Sequence, residues 1–413
     1  MKDEFIYECS LCGKTYPISR DIMLCPECRE SDLRGRPLKG VLKVKMPGGM
    51  ENSKNPGEAF DVHDYLPIEK KFFPGLPVGN TPLIKAHNLE KLLAFQNIYL
   101  KFDALNPTGS FKDRASYLVS ASAKKWHENK IVVSSTGNAA SSMCGIAAAA
   151  AQRVFVFMPW DAPRAKLVQC LQYGACLIPV KGTYDDAFDL SLEFSKRTGI
   201  LNRNTAYNPM TLEGKKTASF EILRQMKGRK ISHLFLPVGD GVVLSGIVKG
   251  FCDLKFLGLT EEIPCIVGVQ AETSSFLYSA FYEDKIDLNY KARTAADSIS
   301  VNVARNAYTA VKDLREVKGK MLLVSDNEIL DSQRLISEAT GLFCEPSSAA
   351  AFAGFLKMKD SIPPKENVVV LLTGHGLKDI EFSSKKLKFP GALEPDIDLI
   401  IKKLGLKESL IIK

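Results

Sequence analysis

The chain has 413 residues, 45% of them hydrophobic and 25% charged, with a net charge of +8. That length suits two or three globular units, and its basic residues are dispersed, which argues against a nucleic-acid binder. No run of about 18 apolar residues could span a membrane, and the acidic start "MKDEF" lacks a leader's apolar stretch, so a cytoplasmic location is expected.

The first element is a four-cysteine module over residues 1–35. Cys9 and Cys12 form one C-x2-C pair, Cys25 and Cys28 another, with twelve residues between. Such pairs aim two thiolates at one point, and two pairs close a tetrahedral metal site. So short a segment cannot fold by burial alone, so metal would supply folding energy. Structural zinc is expected in a zinc-ribbon arrangement; iron also suits the ligands, and two redox pairs are the bland alternative. The other cysteines are scattered among small and apolar residues, as buried thiols in a reducing compartment are.

Residues 36–97 are rich in Pro and Gly ("MPGGMENSKNPG", "LPVGNTPL") and read as an extended connector packed on the body. From residue 98, short apolar runs alternate with helical stretches: "NIYLKFD", "KIVVSS", "VFVFMP", "CLIPVKG", "HLFLPVG", "IPCIVGVQ" and "NVVVLLTG". Near-continuous apolar strands between helices predict parallel sheets covered on both faces, an α/β class. Ligands then bind beyond the carboxyl ends of the strands. The lysine-rich tail, residues 391–413, suggests no function.

Chemistry is expected at four strand-to-helix turns, each of which taken alone also reads as an ordinary structural turn: a capped surface helix at Lys112, a tight Ser/Gly turn at 134–138, and plain glycine turns at 239–241 and 374–376. In "NPTGSFKDR", Ser110 and Asp113 form an S-x-x-D capping box that places Lys112 in the first helical turn. The helix end there disfavours an ammonium, leaving Lys112 a nucleophilic amine suited to a Schiff base. In "SSTGN", Ser135, Thr136 and the helix opened by Asn138 offer hydroxyls and N–H groups to a carboxylate. In "VGDGVVL", the turn from Gly239 through Asp240, Gly241, Val242 and Val243 to Leu244 is a phosphate cradle; Asp240 is expected to turn its side chain away. It matches neither a dinucleotide fingerprint nor a Walker A loop. In "LLTGHGLKD", the Thr373 hydroxyl could meet a heterocyclic nitrogen, and His375 is either a substrate group or a turn residue.

In this order the four segments, with "GNTPL" at 79–83, resemble pyridoxal-phosphate (PLP) enzymes of fold type II, the tryptophan-synthase-β fold. "NPMTLEGKKTASFEI", "FCEPSSAAAFAG" and "LTGHGLKD" are similar to threonine synthase motifs, and that family includes members with a four-cysteine module. The resemblance implies that Lys112 carries the cofactor and shuttles protons, and that Asn138 bonds the cofactor's 3′-oxygen. Ser135 and Thr136 would hold the substrate carboxylate, Gly239–Leu244 the cofactor phosphate, and Thr373 the pyridine nitrogen. Arg164, Lys166 and Lys215 are candidates for the substrate phosphate. The implied reaction converts O-phospho-L-homoserine and water to L-threonine and phosphate. The implied architecture is a large PLP domain (98–114 and 206–390), a small mobile domain (115–205) and a homodimeric assembly. The turn at Asp240 and the segment 294–314 depart from the family's usual pattern. Two alternatives stay open: another fold type II enzyme (a serine or threonine dehydratase, a diaminopropionate ammonia-lyase or a cysteate-synthase-like enzyme), and a zinc-ribbon binding scaffold with an inactive body.

Overall fold

The fold is given by a computed structural model, which describes residues 4–30, 34–50, 60–162, 164–294 and 296–405. Its strands are β1 (Ile6–Cys9), β2 (Thr15–Pro17), β3 (Leu42–Lys45), β4 (Leu83–Lys85), β5 (Ile98–Phe102), β6 (Lys130–Ser134), β7 (Arg153–Pro159), β8 (Cys176–Val180), β9 (Leu201–Asn202), β10 (His233–Pro237), β11 (Cys265–Ala271), β12 (Lys320–Val324) and β13 (Val368–Leu372).

They form three sheets, ordered β2-β1-β3, β12-β11-β10-β13-β5-β4 and β8-β7-β6-β9. The two larger sheets are parallel except for β4, which runs antiparallel along β5. Successive side chains of a strand point to opposite faces, so a sheet covered on both sides needs apolar residues at every position. Strand β13 shows this: Val369 and Leu371 enter one core, while Val368, Val370 and Leu372 enter the core on the other face. Strand β6 does the same, sending Ile131 and Val133 one way and Val132 the other. Each such side chain contributes roughly 1.5–3 kcal/mol by leaving water.

The N-terminal module extends past residue 35. Strand β3, from the expected connector, pairs antiparallel with β1, because Leu42 and Val44 join Tyr7 and Cys9 in one apolar cluster. The module is fastened to the body: Ser10 Oγ lies 2.9 Å from Thr309 Oγ1, Lys312 Nζ donates to the Ser10 carbonyl, and Lys43 pairs with Asp313. The connector's later part does not stay extended: it supplies β4 and the helix His87–Leu93. In the tail, residues 397–404 form a helix with Ile397, Leu399 and Leu404 exposed.

Candidate active site

The four turns leave the carboxyl ends of β5, β6, β10 and β13 and meet at one cavity of about 360 Å³. Lys112, Ser135, Thr136, Asn138, Gly239, Asp240, Val243 and Thr373 line it. Among the other expected site residues, Gly241, Val242 and Leu244 lie in the same turn but behind the wall. Lys215 is buried on the helix Pro209–Lys215 and is not a lining residue, although its charge is felt by Asp240. Arg164 and Lys166 belong to the helix Arg164–Gln172, and their side chains fall outside the described residues.

A buried ionic scaffold sets the position of Lys112. Arg114 Nε donates to Asp103 Oδ2 (2.6 Å) and its Nη1 to Glu221 Oε1 (2.7 Å). Lys101 Nζ donates to Glu221 Oε2 at 2.7 Å, and Thr81 of "GNTPL" donates to Asp103 at 2.6 Å. Two of the sequence signatures therefore share one fully buried network, whose low dielectric makes each paired charge costly to orphan.

The predicted capping box does not form. The helix Lys112–Lys125 begins at Lys112 with no side-chain cap, and Asp113 instead accepts the Thr108 N–H (2.7 Å) and hydroxyl (2.5 Å). The cause is the pairing of this loop with the turn after β13. Phe111 N–H donates to the Thr373 carbonyl at 2.7 Å, and Ser110 bridges Gly374, which holds the backbone away from an N-cap conformation. Lys112 does open the helix. Its ammonium pKa is lowered by burial above all, with Arg203 adding and Asp240 and Glu345 opposing. Desolvation, more than the helix end, makes the amine available.

At the third turn, Gly241 has φ +90° and is the N-cap of the helix Val242–Phe256. A Cβ at Gly241 would sit 2.7 Å from Ala310 Cβ, so only glycine fits this bend. Asp240, expected to turn away, faces the cavity instead. It accepts the Val242 N–H at 3.0 Å; burial pushes its pKa up, but Lys215 and Lys112 more than offset this and hold it below the usual range. The bond to the Val242 N–H and the nearby charges of Lys215 and Lys112 favour this placement.

Glu345, Arg203, Ser298, Tyr184 and Arg305 also line the cavity and were not singled out from sequence. Asn138 Nδ2 donates to Glu345 Oε2 (2.8 Å) and to Ser298 Oγ (3.2 Å). Ser298 belongs to the departing segment 294–314, which covers the cavity with residues 297–303. Glu345 stood inside the quoted "FCEPSS"; a lone glutamate before Pro-Ser-Ser at a helix start was the available signal. Thr373 is held by Ser348, whose Oγ accepts the Thr373 N–H at 2.9 Å and lies 3.1 Å from its hydroxyl. His375 is a turn residue: its Nδ1 accepts the Leu377 N–H at 3.2 Å, and it does not line the cavity.

The donor set fits pyridoxal phosphate. The helix start behind a left-handed glycine, where Asp240 takes the Val242 N–H, leaves its following N–H groups to suit a phosphate; a hydroxyl at the end of β13 suits the ring nitrogen, and a desolvated lysine suits the aldehyde.

Residues 75–374 match the family described as pyridoxal-phosphate dependent enzyme. The threonine synthase of Methanocaldococcus jannaschii is 32% identical over 406 residues, 96% of this chain and 98% of that protein. That of Synechocystis sp. is 35% identical over 83% of this chain and 88% of its own length. Among solved structures, a T.th. threonine deaminase aligns with TM-score 0.63 and 24% identity, covering 76% of this chain and 94% of that one. A threonine deaminase from Solanum lycopersicum aligns with TM-score 0.66 and 22% identity over 87% and 97%; at such identities the likeness concerns the fold. Matched by the family over residues 75–374 and by these relatives along most of their length, the chain belongs to the pyridoxal-phosphate dependent enzymes and, within them, to the threonine synthases.

Proposed function

We propose that this enzyme converts O-phospho-L-homoserine and water to L-threonine and phosphate, by γ-elimination followed by addition of water at Cβ. The observation that carries the reading is the convergence of Lys112, the Ser135–Asn138 turn, the Gly239–Leu244 turn and Thr373 on one cavity. Bound there, the cofactor would supply an electron sink for carbanions of the substrate.

The chain's residues supply the rest. Lys112, whose ammonium burial disfavours, would take and return protons at Cα and Cβ as a neutral amine. Ser135, Thr136 and the N-terminus of the helix Asn138–Ala149 bind the substrate carboxylate and fix the Cα–H bond toward that amine. Asn138, steadied by Glu345 and Ser298, hydrogen-bonds the cofactor's 3′-oxygen. Thr373, a neutral hydroxyl, leaves the ring nitrogen unprotonated, which suits elimination and replacement. Residues 115–205, which carry β6 to β9, form a small unit that closes on the substrate.

Zinc is proposed for the N-terminal module. The four thiol sulfurs of Cys9, Cys12, Cys25 and Cys28 lie within 4.8 Å of one another, and Cys12 and Cys25 are 3.8 Å apart. Tetrahedral zinc with bonds of about 2.3 Å separates its sulfurs by about 3.8 Å. In this reading the enzyme works in the cytoplasm as a homodimer; the free thiols, both buried and exposed, suit a reducing compartment.

A substrate panel tests the function. O-phosphohomoserine is expected to release phosphate and form threonine, with Lys112→Ala inactive. Release of 2-oxobutyrate from threonine, without phosphate release from phosphohomoserine, would assign the chain to dehydratase chemistry instead.

A further inference from the structure

Arg203 follows β9 and is only 1% exposed, yet it lines the cavity. Its backbone N–H donates to the Val132 carbonyl at 2.7 Å, and its Nε donates to Ser116 Oγ at 3.3 Å. Ser116 stands four residues beyond Lys112 on the same helix, so it holds the guanidinium on the Lys112 side of the cavity. Nη2 is buried and has no hydrogen-bond partner. A buried guanidinium N–H left unmatched is unfavourable, and the partner that suits it best is an oxyanion.

The neighbouring groups do not satisfy it. Asp240 is the acid whose field reaches Arg203 most strongly, but that carboxylate accepts the Val242 N–H and a bond from Thr205. Arg305, the other arginine of the cavity wall, is held by Asp185 at 2.9 Å and Asp189 at 3.2 Å. Burial brings the Arg203 pKa down only to about 10, so it is still a cation at neutral pH. The proposed reaction requires three anionic groups to be housed. The turn at Gly241 suits the cofactor phosphate, and the Ser135–Asn138 turn suits the substrate carboxylate. The anion at the far end of the substrate is left, and Arg203 Nη2 offers it a buried, unused donor.

We propose that Arg203 is a specificity-determining residue that binds the phosphate on the substrate's side chain through Nη2. The assignment rests on the reading of the substrate as a phosphorylated amino acid. It selects phosphorylated homoserine over homoserine itself, because the unphosphorylated chain would leave the guanidinium buried and unmatched.

The test uses PLP-loaded wild type, Arg203→Gln and Arg203→Lys. Inorganic phosphate is titrated into each by calorimetry, L-homoserine binding is followed by the cofactor's absorbance, and KM for O-phosphohomoserine is measured. Arg203→Gln is expected to weaken phosphate binding and raise KM by about tenfold or more, with cofactor content and homoserine binding unchanged and Arg203→Lys recovering part of the loss. Unchanged phosphate affinity in Arg203→Gln would overturn the proposal. So would loss of cofactor with phosphate affinity intact, which would make Arg203 a ligand of the cofactor. Should Arg203→Gln not fold, wild-type phosphate affinity in Arg203→Lys would also count against it, since a lysine cannot reproduce the arginine fork. If wild type releases no phosphate from phosphohomoserine, the substrate reading fails, while the phosphate titration, which needs no turnover, still decides the role of Arg203 as an anion site.

Discussion

Asn138 Nδ2 donates to Glu345 Oε2 across 2.8 Å, joining the helix that follows β6 to the helix Pro346–Met358 of the larger sheet. The bond ties the two α/β units together at the cavity, and it orients the amide expected to meet the cofactor. Gly374 packs against the same carboxylate; a Cβ there would come within 2.4 Å of Glu345 Cδ, so the turn after β13 also depends on it.

Glu345→Ala should therefore lower kcat/KM by about 10- to 100-fold, the cost of leaving a buried donor unmatched, while cofactor content changes little. Glu345→Gln keeps the shape and should recover part of the loss. Steady-state kinetics with a cofactor assay reads both.

The same residue predicts a pH effect on stability. Burial raises the Glu345 pKa, against the opposing pulls of Asn138 and Lys112. A carboxyl that holds its proton more tightly when folded makes the native state less stable as pH rises from the ordinary carboxyl range through its elevated value. Glu345→Gln removes this slope. Its apoprotein should gain in Tm over wild type as pH rises through that window, and the two should converge in acid.

Glu221 behaves in the opposite sense. Burial pushes its pKa up, but Arg114 and Lys101 prevail and bring it to about 2. Its contribution is fully present above the unfolded carboxyl pKa and is lost as pH falls toward the folded value. Glu221→Ala should cost about 3–5 kcal/mol at neutral pH, because it strands charges in the interior. Urea unfolding at neutral pH gives the number, and the difference from wild type should shrink in acid.

For the four-cysteine module, elemental analysis should find one zinc per chain. Cys25→Ser should abolish it and lower Tm, since a metal held by the four thiolates would add folding energy to the module. Lys112 lies outside the module, so cofactor binding should persist in the variant. A metal-free protein with unaltered Tm would remove the structural role.

Much of this was legible in the sequence. The seven apolar runs from "NIYLKFD" to "NVVVLLTG" all form strands; most are buried along nearly their whole length, while β8, at the edge of its sheet, is only half-buried. With two residues β9 is too short to carry a pattern, and β12, half-buried like β8, is not among the seven. Lys112, Asn138 and Thr373 could be placed because each follows a strand with a turn signature. Arg203 and Glu345 could not be placed from spacing: a buried cation at the end of a two-residue strand and a glutamate before a Pro-Ser-Ser helix start acquire meaning only when the sheets bring them to one cavity. The capping box failed for a related reason. Ser110 has the right local sequence, but its backbone is claimed by Gly374, far away along the chain.

Lys112 is the residue proposed to link covalently to the cofactor. Borohydride reduction of the PLP-loaded protein, followed by peptide mass spectrometry, measures that directly. The prediction is one pyridoxyl adduct, on the peptide containing Lys112, and none in Lys112→Ala. An adduct on another lysine such as Lys215, or no adduct in protein that has bound the cofactor, would contradict it.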